Sequence, residues 1–230
     1  MNNLINNVKN SILVDSMPDF KTRRHDGATY TPKVSISKSN SKMGGATASV
    51  SLLTDCTCSD KMPCYKDCYA RRMEHMRPSI YNAYLNNFII YKKNPQLFFD
   101  SVLCAMLSNL YFRFFVGGDI PDLEFLKMAI DTAKKAPRCK VLMFTKKAFF
   151  VNEYLKNGGV IPENFTIIYS NWGAFKQANP YNMPISNVYN SVDEMPANAY
   201  KCSGDCFSCQ ITGRGCWYAK NGDTIAFLKH

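Results

Sequence analysis

The chain has 230 residues, of which 46% are apolar and 20% charged. That is enough to bury a core without disulfide staples and too apolar for a disordered chain. Lys and Arg number 28 against 18 Asp and Glu, a formal net charge of +10, which suits an anionic partner such as nucleic acid or a nucleotide. The basic residues fall in scattered doublets (Arg23–Arg24, Arg71–Arg72, Lys92–Lys93, Lys134–Lys135, Lys146–Lys147), none dense enough for a basic arm.

No run of 18 apolar residues exists to span a bilayer, so no membrane partner is expected. The first twenty residues lack the basic start, long apolar stretch and small-residue cleavage site of a secretion signal, and a cytoplasmic location is expected.

Residues 1–40 are polar, rich in Asn and Ser, and read as a loose extension. Residues 46–53 alternate small and apolar side chains like a strand and run directly into a cysteine-rich loop. Residues 79–92 and 96–110 carry apolar side chains at helical spacing, with Asn94–Pro95 breaking them apart. A strand at 111–116 ends in Gly117-Gly118-Asp119, and a helix follows over 121–136, with Pro at its start and Lys134–Lys135 near its end. A strand at 140–144, a helix at 149–157 closed by Gly158–Gly159, and strands at 165–170, 185–189 and 224–228 complete the pattern.

Strands alternating with helices imply parallel pairing. Six strands are too few for a complete eight-stranded barrel. The expectation is an α/β fold, a partial, open parallel β/α barrel over 41–200, with a cysteine-rich C-terminal segment, 201–230, packed on the same domain.

Ten cysteines are present, and eight fall in two tight groups. The first reads CTCSDKMPCYKDCYA, with Cys56, Cys58, Cys64 and Cys68; the second reads CSGDCFSCQITGRGCW, with Cys202, Cys206, Cys209 and Cys216. Cys104 and Cys139 stand alone and read as ordinary thiols. In a reducing compartment, cysteines at short spacings point to metal ligation rather than disulfides. Short loops bring thiolates to about 2.3 Å from one metal at low entropic cost. Soft thiolates select zinc, copper(I) or iron–sulfur clusters.

The first group, C58-x5-C64-x3-C68, lacks the paired C-x-x-C knuckles of zinc ribbons. Three ligands on one loop suit a cubane cluster with one open iron. Cys56 competes with Cys58 for a place among the ligands.

In parallel α/β folds, chemistry collects at the C-terminal ends of the strands. The first cysteine group and Gly117-Gly118-Asp119 both land there. The Gly–Gly pair lets the backbone approach a ligand closely, although a plain turn into a helix would read the same way.

The order strand, three-cysteine loop, helix, strand, Gly-Gly-acid-x-Pro resembles the radical SAM superfamily. That resemblance implies that Cys58, Cys64 and Cys68 hold a [4Fe–4S] cluster. It implies that the open iron binds S-adenosylmethionine and that Gly117, Gly118 and Asp119 contact its amino group. An electron passed to S-adenosylmethionine would release a 5′-deoxyadenosyl radical that takes hydrogen from a substrate, and this needs an electron donor. The x5 and x3 spacings and the Asp depart from the usual x3, x2 and Glu.

Cys58–Ala70, Arg113–Asp119, Phe144–Lys146, Asn164–Ser170 and Cys202–His230 are also similar to an uncharacterised phage family, known from a mycobacteriophage gene product and described as radical-SAM-like. This implies a bacteriophage or prophage origin and supplies no substrate.

Cys202, Cys206, Cys209 and Cys216 read as a full four-thiolate site, holding a second iron–sulfur cluster or a structural zinc. Both groups sharing one centre is a third arrangement. Arg113 and Lys146 point toward the mouth if they occupy the proper strand faces, where either can pair with a carboxylate or phosphate. Ser170-Asn171-Trp172 ends a strand near the same place. His25, His75 and His230 show no ligand spacing. The rival reading is a zinc-stabilised nucleic-acid-binding protein without catalysis.

Overall fold

A parallel sheet needs a crossover between paired strands, and the alternation of apolar strands with helices supplies it here. The computed structural model describes residues 33–38, 43 and 47–229. Most of the expected extension at 1–40, with His25, lies outside the described residues, as does His230.

Among the described residues seven strands form one sheet: β1 (Thr47–Val50), β2 (Tyr111–Phe114), β3 (Lys140–Thr145), β4 (Phe165–Ser170), β5 (Ile185–Tyr189), β6 (Tyr200–Lys201) and β7 (Thr224–Leu228). Their order is β1-β2-β3-β4-β5-β7-β6 and every pairing is parallel. The sheet is open, as expected, with one strand more than the six predicted. The extra strand, β6, has only two residues, too few to show alternation.

The helices are α1 (Thr54–Thr57), α2 (Tyr69–Met76), α3 (Pro78–Lys93), α4 (Pro95–Leu107), α5 (Leu123–Lys135), α6 (Ala148–Lys156) and α7 (Cys206–Thr212), followed by a 3-10 turn at Gly215–Tyr218. Asn94 caps α4 by accepting from Leu97 N at 3.0 Å, with Pro95 at the first helical position. Asp122 caps α5 by accepting from Phe125 N at 2.9 Å, and it also takes the Tyr91 hydroxyl and Lys92 Nζ. That cap moves the helix start two residues past Pro121.

The period-2 alternation of the strands sorts the side chains onto two faces. Ala48, Val50, Phe112, Phe114, Val141, Met143, Phe165, Ile167 and Tyr169 face α3 to α6 in the main core. Its centre is a cluster of edge-to-face rings, with Phe125 within 5.0 Å of both Tyr91 and Phe99. The opposite face carries Leu142, Ile168 and Ile225, covered by Cys209 of α7 and Trp217 of the 3-10 turn. The C-terminal cysteine segment is thus the lid of the second face.

The outer edge of β1 is covered by residues 33–38: Ser37 and Ser49 exchange two backbone hydrogen bonds of 2.8 Å. Asn87 of α3, fully buried, holds this strap. It accepts from Ser35 N at 2.7 Å and donates to Ser35 O at 2.9 Å and Ser51 O at 3.0 Å.

Replacing Asn87 by Ala strands these buried groups and is expected to cost about 2–4 kcal/mol. Urea unfolding measures the loss, and limited proteolysis is expected to cut near residue 35 well before the core.

Candidate metal and ligand site at the strand ends

β2 stops at Phe114 rather than Val116 because Phe115 adopts a left-handed backbone, φ 63°. An aromatic residue there costs of order 1 kcal/mol or more. It is held by its N–H to Val50 O at 2.8 Å and by its ring against Phe125. The reversal carries Gly117-Gly118-Asp119 back over the end of β1. Ser51 Oγ accepts from Val116 N and Gly117 N, each at 3.1 Å, and Leu52 N donates to Gly117 O at 3.2 Å.

Gly118 has φ +84°, and a Cβ there would stand 2.4 Å from Leu52 O. No other residue fits without moving backbone. Gly118 therefore serves close packing of this turn on the β1 loop, and Gly117 its packing against the Tyr84 and Glu74 side chains. Asp119 N donates to Thr57 Oγ1 at 3.1 Å, which places the turn beside Cys58.

The Asp119 carboxylate is buried. One oxygen accepts from Ile120 N at 2.7 Å and Thr145 Oγ1 at 2.6 Å; the other accepts from Lys146 N at 2.8 Å. Asp119 thus ties the end of β2 to the end of β3. Gln177 extends the tie, donating to Thr145 O at 3.0 Å and Ser170 O at 3.1 Å and accepting from Ala148 N at 2.8 Å.

The structure brings the first cysteine group to this place. Burial pushes the Cys58 thiol up; the Asp119 charge adds to the shift, Lys147 opposes it and Cys68 adds again. Burial also raises Cys64, against Lys146 and with Cys68 and Asp119. Cys58, Cys64, Cys68, Asp119, Lys146 and Lys147 therefore share one electrostatic neighbourhood. Cys56 packs against the apolar clusters instead, and burial, with Asp55 next, holds its thiol up at about 12.

Lys146 Nζ donates to Ser170 Oγ at 2.8 Å and lies 5.9 Å from the Trp172 ring. Lys147 Nζ donates to Ile120 O at 2.6 Å. His75 pairs with Asp55 at 3.8 Å. Cys104 is exposed on α4 and Cys139 is buried in the main core.

The second group assembles on the other face of the sheet. Cys216 is raised by burial and then by Cys202, Cys206 and Cys209, with Arg113 opposing; Cys206 shows the same partners. For each of these thiols, the strongest thiol neighbours come from its own group. Gly204 N donates to Cys202 Sγ at 3.4 Å, and the Tyr200 hydroxyl lies 3.2 Å from Cys209 Sγ. Gly215, φ +71°, leaves room where a Cβ would stand 3.0 Å from Cys209 Sγ.

Arg113 shares this face rather than simply facing the mouth. Its guanidinium lies 5.3 Å from the Phe144 ring. Among the described residues, no three His, Cys, Asp or Glu side chains are grouped as the ligands of one metal ion. Closing either group on a metal requires its thiols to move from the arrangement described. The donor chemistry fits such closure, because partly buried neutral thiols are what a bound cation deprotonates, and the second group already has N–H and O–H groups against sulfur.

A family profile described as gene product 88 matches residues 23–205, most of the chain. The chain belongs to the gene product 88 family. This is a phage protein family, and the match carries no radical-SAM relationship. Cys58 to Cys68, Gly117 to Asp119 and Lys146 lie within the gene product 88 match, whereas Cys206, Cys209 and Cys216 lie beyond it. No curated protein and no solved structure matches the chain. No helix among the described residues is long and apolar enough to cross a membrane.

Sequence reasoning missed Glu74, which is 2% exposed on α2. It accepts from Thr54 N at 3.3 Å and from the Thr54 hydroxyl, and it lies against the Gly117 turn. Only Ala70 and Glu74 of α2 are buried, and the apolar residues at helical spacing, Tyr69 and Met76, are exposed, so the apolar pattern does not point to the buried glutamate. Burial lifts the Glu74 carboxyl to about 7, against the lowering effect of its Thr54 hydrogen bonds.

A carboxyl raised from about 4.5 to about 7 binds its proton more tightly folded than unfolded, so stability falls as pH rises across that interval. Glu74→Gln is therefore expected to gain melting temperature relative to the wild type at pH 8 and not at pH 5. Thermal melts at both values check it.

Proposed function

We propose that this phage protein binds a [4Fe–4S] cluster through Cys58, Cys64 and Cys68 and takes S-adenosylmethionine beside it, in a radical-SAM-like reading. The observation that carries the proposal is the placement of the loop that bears these thiols beside the Gly117–Asp119 turn, where Asp119 N donates to Thr57 Oγ1 next to Cys58. When bound, the cluster supplies one electron, received from a low-potential donor, to cleave S-adenosylmethionine. The chain's own part is to hold the three thiolates on one loop and fix the turn that meets the ligand. Asp119 holds that turn, since its oxygens already accept three hydrogen bonds.

A nucleic-acid or nucleotide substrate fits the cations at the mouth. Lys146, Lys147 and Lys176 donate to neutral oxygens, and none forms an ion pair among the described residues. Trp172 beside Lys146 offers a ring for a base to stack on. The host-cell cytoplasm is the compartment in which such a reduced cluster survives.

The second reading is a zinc-stabilised nucleic-acid-binding protein without catalysis. It is favoured by the four thiols of the C-terminal group, a complete ligand set for a structural ion.

Iron, zinc and acid-labile sulfide per chain, measured after anaerobic purification, separate the two. About eight irons and eight sulfides mean two cubane clusters, and about four of each mean one. Zinc without sulfide, even after anaerobic cluster reconstitution, overturns the cluster reading. Cys58→Ser is expected to lose about four irons and Cys56→Ser none.

A further inference from the structure

Only two buried side-chain nitrogen or oxygen atoms among the described residues lack a hydrogen-bond partner: Arg113 Nε and Trp217 Nε1. Both belong to the same compartment. Tyr111, two residues before Arg113 and on the same face of β2, has its ring 5.2 Å from that of Trp217. The Tyr111 hydroxyl donates to Gln210 O of α7 at 3.1 Å and meets the Tyr218 hydroxyl at 2.9 Å. Phe144, over which the Arg113 guanidinium lies, packs in the cluster that contains Cys209 and Cys216. Arg113 also forms no ion pair among the described residues.

A guanidinium with a buried, unpaired N–H and no carboxylate partner is costly. An anion on this face would relieve it. A divalent ion held by four thiolates carries a net charge of −2 and presents sulfur acceptors, so it supplies both the charge and the acceptor that Arg113 lacks.

We propose that Arg113 is the internal counter-charge of a metal–thiolate centre formed by Cys202, Cys206, Cys209 and Cys216. The proposal rests on the reading of that group as a four-thiolate site and adds to it the residue that holds its charge inside the fold. Arg113 is a positioning residue. In the metal-bound centre its Nε–H would donate to a ligand sulfur, joining the Tyr200 hydroxyl and Gly204 N–H, which already lie against Cys209 and Cys202. On this assignment Arg113 is committed to the second face and does not bind the carboxylate of a ligand at the mouth.

The test uses the full chain, reduced and stripped of metal, titrated with cobalt(II) and back-titrated with zinc(II). The sulfur-to-cobalt charge-transfer band reads thiolate ligation, and its loss in Cys206→Ser assigns it to the C-terminal group. Arg113→Met is expected to bind cobalt at least about tenfold more weakly than the wild type, the equivalent of about 1.4 kcal/mol. Arg113→Lys is expected to remain within about threefold.

A purely structural arginine would lower the melting temperature of the metal-free protein and leave cobalt affinity unchanged, and that result overturns the proposal. Arg113→Gln repeats the test if Met disturbs packing against Phe144. A wild type with no charge-transfer band assignable to Cys206 overturns the underlying four-thiolate reading instead. A wild type that binds alongside an equally tight Arg113→Met overturns only the role of Arg113.

Discussion

The Asp119 carboxylate is the constraint on which the mouth of the fold depends. Parallel strands leave their C-terminal ends without a common turn to hold them, so something else must fix the loops that emerge there. Asp119 does so from the end of β2 by accepting from Thr145 and Lys146 at the end of β3. Its own N–H reaches Thr57 in the loop after β1. Three crossover loops are thereby set relative to one another. The left-handed Phe115 and the glycine pair give the chain the reversal that lets Asp119 reach all of them. Strain at Phe115 is tolerated because its ring is buried among Phe114 and Phe125.

This explains how much of the molecule could be read from sequence. Strands β4, β5 and β7 have the bounds that their apolar runs predict. The helices of the main core were legible for the same reason, with ends set by Asn94 and Asp122 caps. What escaped was held by polar contacts. α2 buries an alanine and a glutamate and leaves Tyr69 and Met76 exposed, so its apolar side chains do not mark its buried face. β6 is too short to alternate, and α7 is defined by the Asp205 cap and Gly213, with only Cys209 and Gln210 buried.

The site was legible in part, and the division has a physical cause. Cysteine spacing identifies thiols that chain connectivity already keeps together. It does not say which face of the sheet they occupy. The first group follows β1 directly and is carried to the strand ends. The second sits between β6 and β7 and folds back over the opposite face, against Leu142 and Ile168. Arg113 was readable as a strand cation, but its destination depended on the parity of β2. Phe112 and Phe114 face the helices, so Tyr111 and Arg113 face the C-terminal segment.

The two thiol groups differ in their surroundings, and this argues for different roles within one fold. The first lies beside Lys146, Lys147 and the Gly117–Asp119 turn at the strand ends. The second is covered by the sheet on one side and has Tyr200, Gly204 and Gly215 shaped to its sulfurs. A centre that exchanges a ligand needs an open position, and a closed four-thiolate centre has none. An open centre belongs at the strand ends, where a parallel sheet presents its loops. A closed centre belongs where it fastens a segment that has little apolar surface of its own. The centre proposed for the C-terminal cysteines fits that place, because residues 202–219 contribute Trp217, Tyr218 and few other large apolar side chains to the second face. Without a fastening at its cysteines, that lid would rest on Trp217, the Tyr111 hydroxyl and the Gln210–Thr47 hydrogen bond.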